Sequence, residues 1–129
     1  MHIAYTVDTA RDIIFEAWTG TITAADLGSF WRGFLADPEV MKCRRTLVDV
    51  RAATIMFTGP ELEELVQTVV LPVLGNLKWA TAVLVASPSQ YGTARQYQVF
   101  ADSYSGDSIF ADEHSALLWL ERQHPDNGS

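Results

Sequence analysis

The sequence predicts an α/β domain in which a mostly parallel, five-stranded sheet carries helices on both faces. The first observation is the order of elements, β-β-α-β-α-β-α-β-α, in which β-rich runs alternate with amphipathic stretches. Such alternation requires crossover connections, which are right-handed and place successive strands parallel. The second observation is the run "ATAVLVAS" at 80–87, which is apolar on both pleat faces, as in a central strand covered from each side.

Composition limits the class of protein. The 129 residues suit one domain, 48% of them are hydrophobic and 19% charged, and the net charge is −7. An acidic chain argues against nucleic-acid binding, which requires a basic surface. We predict a single domain over 1–123 and a flexible polar tail, "HPDNGS", at 124–129.

Signals for secretion or membrane insertion are missing from the sequence. Cys43 is the single cysteine, so no intramolecular disulfide can form, which favours a reducing compartment. The start "MHIAYTVDTARD" lacks the basic and apolar regions of a signal peptide, and no run approaches the ~20 apolar residues of a membrane span. The sequence therefore predicts a cytoplasmic protein.

The chain begins with two strands and a helix. The runs "HIAYTV" and "DIIFEAWTG" flank the turn-like "DTAR" and predict a hairpin. In the second run, alternation places one face on the core and leaves the other partly open. Thr23 and Asp26 then form a capping box, and Pro38 closes the helix from outside. One helical stripe carries the apolar residues Leu27, Phe30, Trp31, Phe34 and Leu35.

A short buried strand, "RTLVDV", leads through a loop to the second helix. Thr58 and Glu61 make a complete capping box, with Pro60 inside the first turn. Pro72 is expected to end or kink this helix. Its apolar stripe consists of Leu62, Leu65, Val66 and Val69.

After the central strand, two further helices flank a short strand. We predict a long helix over 89–104, the strand "SIFA" at 108–111 and a terminal helix over "DEHSALLWLERQ". "SGDS" at 105–108 is interpreted as a helix-to-strand turn that explains Gly106, and no G-x-S-x-G nucleophile motif accompanies it.

The whole pattern resembles the STAS-like domains, which include the bacterial anti-sigma-factor antagonists and the broader SpoIIAA-like group. The resemblance covers nearly the whole chain and lies in "GTITAADL", "TLVDVRAAT", "AVLVAS" and "YGTARQYQVF" followed by "IFADEHSALLWL". It implies a SpoIIAA-like fold. In the antagonist branch, the second long helix is capped by a serine that a partner kinase phosphorylates.

Thr58 stands at the position that matches this serine, counted from Asp49 at the strand end. Here the turn reads Phe57, Thr58, Gly59 and Pro60 rather than Asp-Ser-Ser-Gly. The resemblance thus implies a phosphoacceptor at Thr58. The residues themselves favour the alternative of a plain helix cap, because a threonine hydroxyl satisfies a free backbone N–H at a helix start.

A second candidate site lies at the carboxyl end of the predicted third strand. Open α/β sheets bind ligands at this edge, and Asp49 and Arg51 are placed there. The alternative is that the two residues form an ion pair or anchor a loop. Arg95 in the third long helix either faces the same rim or is a solvated helix position.

A third candidate is apolar. Met56, Phe57, Val70 and Leu74 lie in the loop and at the far end of the helix that contains Pro72. They either line a cleft for an apolar ligand, form a dimer patch, or belong to the core.

No catalytic, metal or cofactor motif is visible. The histidines at positions 2, 114 and 124 have no ligand spacing, and neither a G-x-G-x-x-G motif nor a P-loop is present. The sequence therefore favours a non-enzymatic regulatory module that binds a protein partner or a second copy of itself. The alternative is a carrier or sensor of a small apolar ligand, held between the second long helix and the sheet. The third hypothesis is an enzyme that uses Asp49 or Arg51.

Overall fold

A computed structural model describes residues 2–124, so the predicted tail lies outside the described residues except for His124. Five strands form one sheet: β1 (Ile3–Asp8), β2 (Ile13–Ile22), β3 (Arg45–Ile55), β4 (Trp79–Leu84) and β5 (Ser105–Phe110). The helices are α1 (Ala24–Leu35), α2 (Gly59–Leu65), α3 (Leu71–Leu74), α4 (Pro88–Phe100) and α5 (Glu113–Glu121). Among these residues, no helix is both long and apolar enough to cross a membrane.

The strands lie in the order β1-β2-β3-β4-β5, which is also their order along the chain. β1 pairs with β2 antiparallel, and the other three pairs are parallel, so the sheet is mixed. The prediction of a mostly parallel, five-stranded sheet is confirmed. Each parallel connection moves one strand in the same direction, and right-handed crossovers then place all the connecting helices on one face.

This rule decides which helix covers which face. Helices α1 and α4 and the α2–α3 segment belong to crossovers and pack on the same face, over a core that contains most of the large rings. α5 follows the last strand, belongs to no crossover, and covers the opposite face. The buried residues of that second core are Ile13, Leu47, Ala80, Ala82, Leu84, Ala116 and Leu120.

Local sequence signals fix the starts of the helices. Thr23 caps α1 and Thr58 caps α2, each in a reciprocal capping box with the acidic residue three positions later. In the second box the Thr58 Oγ1 accepts from Glu61 N at 3.3 Å, and Thr58 N donates to Glu61 Oε1 at 2.8 Å. Both predicted capping boxes are therefore present.

Strand β3 is longer than the sequence predicts. It continues to Ile55, because β2 is long enough to pair with Ala52–Ile55 beyond a register shift between Ala17 and Thr19. Asp49 and Arg51 consequently lie inside the strand, and their predicted position at its carboxyl end is wrong.

The region after α4 also differs from the prediction. α4 ends at Phe100, and β5 already begins at Ser105, where its residues pair with the start of β4. Gly106 pairs with Ala80 inside the sheet, so its interpretation as a turn residue is wrong.

Pro72 does not end its helix. A five-residue π-helical turn, Val66–Val70, joins α2 to α3, and the helix continues to Leu74 before Gly75 ends it with φ 55°. Since proline lacks an N–H and clashes with the carbonyl four residues earlier, the wider turn accommodates it within a continuous helical segment.

Candidate ligand-binding cavity

A cavity of about 90 Å³ lies between the sheet and the crossover helices. Strands β2, β3 and β4 form its floor, and side chains from α1, the α2–α3 segment and α4 form its roof. A volume of this size exceeds the ~10–15 Å³ that one water requires. The floor consists of Glu16, Trp18, Thr46, Val48, Val50, Trp79, Thr81 and Val83. The roof includes Leu27, Trp31, Phe34, Leu62, Val70, Leu74, Gln90, Ala94 and Tyr97.

Strand register explains the floor. Glu16 on β2 lies beside Val48 on β3, which lies beside Val83 on β4, and side chains in one such row share a face of the sheet. The neighbouring row contains Thr46 and Thr81. The first row therefore presents a carboxyl group beside two valine side chains, and the second presents two threonine hydroxyls.

Val48 borders this space and is not completely covered by the helices. β3 is the middle strand, and Val48 faces the helices, yet it is only partly buried. Side chains in such a position are usually covered completely. Ile55, Phe57 and Thr93, which also line the cavity, are likewise partly buried, so the outer wall of the cavity includes the end of β3 and the start of α4.

Glu16 is the acidic group in the cavity wall. It is 5% exposed, and its Oε1 accepts a hydrogen bond from Trp18 Nε1 at 3.1 Å. Burial raises the pKa of Glu16 to about 7, and the hydrogen bond from Trp18 opposes this shift. Within the described part of the chain, Glu16 Oε2 has no hydrogen-bond partner. A carboxylate offers about four acceptor positions, so Glu16 keeps capacity for a further donor.

Other buried polar groups that line the cavity bond to the protein itself. Trp79 Nε1 donates to Thr46 Oγ1 at 2.7 Å, and the hydroxyls of Tyr97 and Tyr104 lie 2.7 Å apart. Gln90 Nε2 donates to the carbonyls of Val50 at 2.9 Å and Ala53 at 3.0 Å. Gln90 therefore ties the start of α4 to β3.

A second, partly buried carboxylate lies at the β5 edge of the same face. Asp107 pairs with Thr81 in the sheet, and its Oδ1 accepts a hydrogen bond from Ser105 Oγ. Its Oδ2 is buried without a partner. Burial raises the pKa of Asp107 to about 6, and the Ser105 hydrogen bond opposes the shift.

The structure brings together only some of the residues predicted to be functional. Phe57 and Leu74 both line the cavity, as does Val70, whereas Met56 is 61% exposed and points away from the core. Phe57 packs on Trp18, with ring centroids 6.4 Å apart. Thr58 follows Phe57, is exposed, and caps α2.

The charged candidates lie elsewhere. Asp49 occupies the same face of β3 as Leu47, which is the α5 face and not the cavity face. Its carboxylate pairs with Arg51 at 2.9 Å, and this guanidinium holds the pKa of Asp49 below its usual range. Arg95 is exposed on α4 and donates to Gln98 Oε1 at 3.1 Å.

Sequence reasoning missed Glu16 and Asp107. A signal for Glu16 was present, because it lies in phase with Ile14 and Trp18 on a strand, and all three are buried. No comparable signal marks Asp107, since the pattern around it predicts a turn. Neither carboxylate suggests a metal centre, and no metal-binding group of His, Cys, Asp or Glu occurs within residues 2–124.

Comparisons with known proteins bear on the fold. No family model matches the chain, and no curated protein matches it. Several solved structures are similar in shape, among them two that cover almost the whole chain. One is an uncharacterised protein of the DUF3478 family from Shewanella loihica PV-4, described as having a SpoIIAA-like fold, with a TM-score of 0.63 and 16% identity over 92% of this chain and 93% of that one.

The other is the anti-sigma factor antagonist SpoIIAA in its unphosphorylated form. It has a TM-score of 0.58 and 11% identity, over 95% of this chain and 99% of that chain. Both likenesses extend over almost the full length of each protein. The chain therefore has the SpoIIAA-like fold, as its sequence resemblance implies.

Proposed function

We propose that this domain is a non-enzymatic binding module whose ligand is a small, largely apolar molecule held in the cavity. The observation that carries the proposal is the cavity of about 90 Å³ between the sheet and the crossover helices, lined by the predicted residues Phe57 and Leu74. Ligand sites in proteins are typically apolar concavities with a few placed polar groups.

The energetics support a functional cavity. Protein interiors are close-packed, and empty space destabilises them by roughly 24 cal/mol for each Å³. A cavity of about 90 Å³ therefore costs about 2 kcal/mol if nothing fills it. A bound apolar molecule restores the missing contacts and removes its own surface from water.

Native mass spectrometry of the protein isolated from its own cells tests this proposal. A ligand held without a covalent bond adds a mass under native conditions and is lost on denaturation. Ala94→Leu fills part of the cavity and should remove the added mass, because Ala94 lines the roof. The matched control is Ala25→Leu on the exposed side of α1, which should retain it. An added mass that survives Ala94→Leu would contradict the proposal.

A protein partner is the second candidate, and the exposed surface beside the cavity favours it. Thr58 is exposed, and Met56, two residues earlier, is 61% exposed. The name of one structural neighbour describes it as an antagonist of an anti-sigma factor, which is a protein-binding activity of that neighbour. We extend to this chain only the general role of a regulatory module, with Thr58 as the candidate phosphoacceptor.

Denaturing mass spectrometry of the same sample separates the two candidates. A covalent phosphate that maps to Thr58 supports the switch, and Thr58→Glu should then change the binding of the partner while the fold is retained.

Sedimentation analysis of the purified chain tests self-association. Asp49, Arg51 and Arg95 are the charged residues proposed for a partner surface, and charge reversal at each should weaken such a complex.

A further inference from the structure

We propose that the cavity selects a molecule with a protonated amine, which pairs with the Glu16 carboxylate while its apolar remainder lies among the aromatic side chains. This inference rests on the proposed ligand-binding function and names the chemical class of the ligand. Three features of the cavity carry it: an incompletely bonded carboxylate, a wall rich in aromatic rings, and the lack of a basic side chain among the described residues of that wall.

The first feature is the state of Glu16. The side chain is nine-tenths or more buried, lines the cavity, and has one protein hydrogen bond, from Trp18 to Oε1. Buried polar groups in folded proteins almost always have their hydrogen bonds satisfied. The Oε2 atom is therefore available to a donor that enters the cavity, and a charged donor would form the stronger bond.

The second feature is the aromatic lining. Trp18, Trp31, Phe57, Trp79 and Tyr97 all line the cavity. Indole and phenol rings carry negative charge on their faces and attract ammonium groups, most strongly where water is excluded. A carboxylate among several such rings is a typical environment for an organic cation.

The third feature is the absence of a protein counter-charge. No lysine, arginine or histidine occurs among the described residues that line the cavity. The ionised form of Glu16 consequently has no cationic partner, and a buried charge without a partner is strongly disfavoured. A cationic ligand supplies the missing charge. An anionic ligand would add a second negative charge, and a neutral apolar ligand would leave Oε2 unbonded.

The volume limits the size of the ligand. A cavity of roughly 150 Å³ accepts benzene, so one of about 90 Å³ suits a shorter aliphatic chain unless the helices separate. n-Butylamine, 1-butanol and butyrate are therefore suitable probes. They have the same length and differ in the charge and hydrogen bonding of one end.

The inference predicts a dependence on pH. A cation binds the ionised form of Glu16, whose pKa burial raises to about 7, so affinity should fall about tenfold from pH 8 to pH 6. Tyr97 from α4 faces the same space, and its pKa is raised well above the usual value, mainly by burial, so it does not titrate in this range. Tyr104 behaves in the same way, while Asp107, whose pKa burial raises to about 6, is the group to exclude. Asp107→Asn serves that purpose and should retain the pH dependence.

The experiment is calorimetric titration of the three probes at pH 8 into the unmodified chain and Glu16→Gln. Tryptophan emission of Trp119→Phe is a second readout, since the other three tryptophans line the cavity. We expect n-butylamine to bind at least tenfold more tightly than 1-butanol, and butyrate not to bind. Glu16→Gln can still accept from Trp18 and should lose at least tenfold in affinity for n-butylamine while its affinity for 1-butanol is unchanged.

The outcomes distinguish a failure of the amine inference from a failure of the proposed ligand-binding function. Binding of 1-butanol equal to that of n-butylamine, with both lost in Ala94→Leu, would overturn the amine inference and leave the ligand-binding function standing. Tighter binding of butyrate would also overturn it, because Glu16 would then act as a protonated donor. Binding of no probe, with no bound mass in the native sample, would overturn both proposals. If Glu16→Gln does not fold, the probe series and the pH dependence of the unmodified chain decide the question.

Discussion

The two faces of the sheet differ in how they are filled. The face under α5 is covered by one helix, and its core consists of small or aliphatic residues such as Ala80, Ala82 and Leu84. The face under the crossover helices contains most of the aromatic rings, two carboxylates and a cavity. The α5 face is therefore filled by small and aliphatic side chains, whereas the crossover face retains the cavity that we propose binds a ligand.

The largest effect should come from damage to the packed face. Leu84 and Leu120 are fully buried there, and replacement of either by alanine should lower the free energy of unfolding by about 2–5 kcal/mol. Denaturant unfolding measures this loss. Leu118→Ala on the outer side of α5, where the side chain is 43% exposed, should change stability by less than about 0.5 kcal/mol. Equal effects at Leu118 and Leu120 would mean that α5 does not cover this face.

On the cavity face, we expect a substitution that raises the free energy of unfolding rather than lowering it. The pKa of Glu16 is raised from 4.5 to about 7, so the folded state binds its proton more tightly than the unfolded chain does. The contribution of Glu16 to stability is then highest below about pH 4.5, falls as pH rises through about 7, and is lower by about 3 kcal/mol above that range. Glu16→Gln removes this penalty and should stabilise the protein at pH 8.

The measurement is the free energy of unfolding of both proteins from pH 4 to pH 8. Asp107 titrates in an overlapping range, because burial raises its pKa to about 6, so Asp107→Asn is measured in parallel. If the free energies of unfolding of the unmodified chain and Glu16→Gln change in parallel from pH 4 to pH 8, Glu16 does not have a raised pKa.

Filling the cavity should stabilise the protein by a smaller amount. Ala94→Leu replaces empty space with contacts and should raise stability by up to about 2 kcal/mol in the absence of ligand. Ala25→Leu, on an exposed part of α1, should change it little. Thermal unfolding of the two variants makes the comparison, and destabilisation of Ala94→Leu alone would indicate that the roof is already close-packed.

The smallest effect is expected from the loss of a helix cap, which can be compared on the two faces of the sheet. Thr58 caps α2 beside the cavity, and Asp112 caps α5 on the other face by accepting from Ser115 N at 2.9 Å. Replacement of either by alanine should cost about 1 kcal/mol, the usual value for a lost cap. Only Thr58→Ala should also weaken ligand binding, because Leu62 of α2 lines the cavity. Weaker binding in Asp112→Ala would contradict the division between the faces.

The sequence predicted the parts of the fold that depend on neighbouring residues. The capping boxes at Thr23 and Thr58 are formed within four residues, and the apolar stripe of α1 repeats at helical spacing, so both could be recognised directly. The alternation of strands and helices sufficed for the fold class. Phe57 and Leu74 line one cavity, and their role in binding a ligand stays a prediction.

The remaining features depend on pairing between distant segments. β3 extends to Ile55 because β2 continues alongside it after a register shift. The sequence of residues 51–55 alone does not indicate that this segment pairs with β2. The row of Glu16, Val48 and Val83 likewise exists only when three strands are aligned. Asp49 was assigned to a ligand-binding edge because the strand was predicted too short, and the true length places it on the other face.

The agreement between strand order and chain order has a consequence for synthesis on the ribosome. Each strand pairs with the one made just before it, so the sheet can grow in the direction of translation without waiting for a distant partner. The crossover face is covered as each helix follows its strand. The opposite face, with Ile13, Leu47 and Leu84, stays uncovered until α5 emerges, because that helix follows all five strands. A nascent chain stalled before residue 113 would thus expose one apolar surface, and completion of the final helix is the step that makes the domain resistant to aggregation.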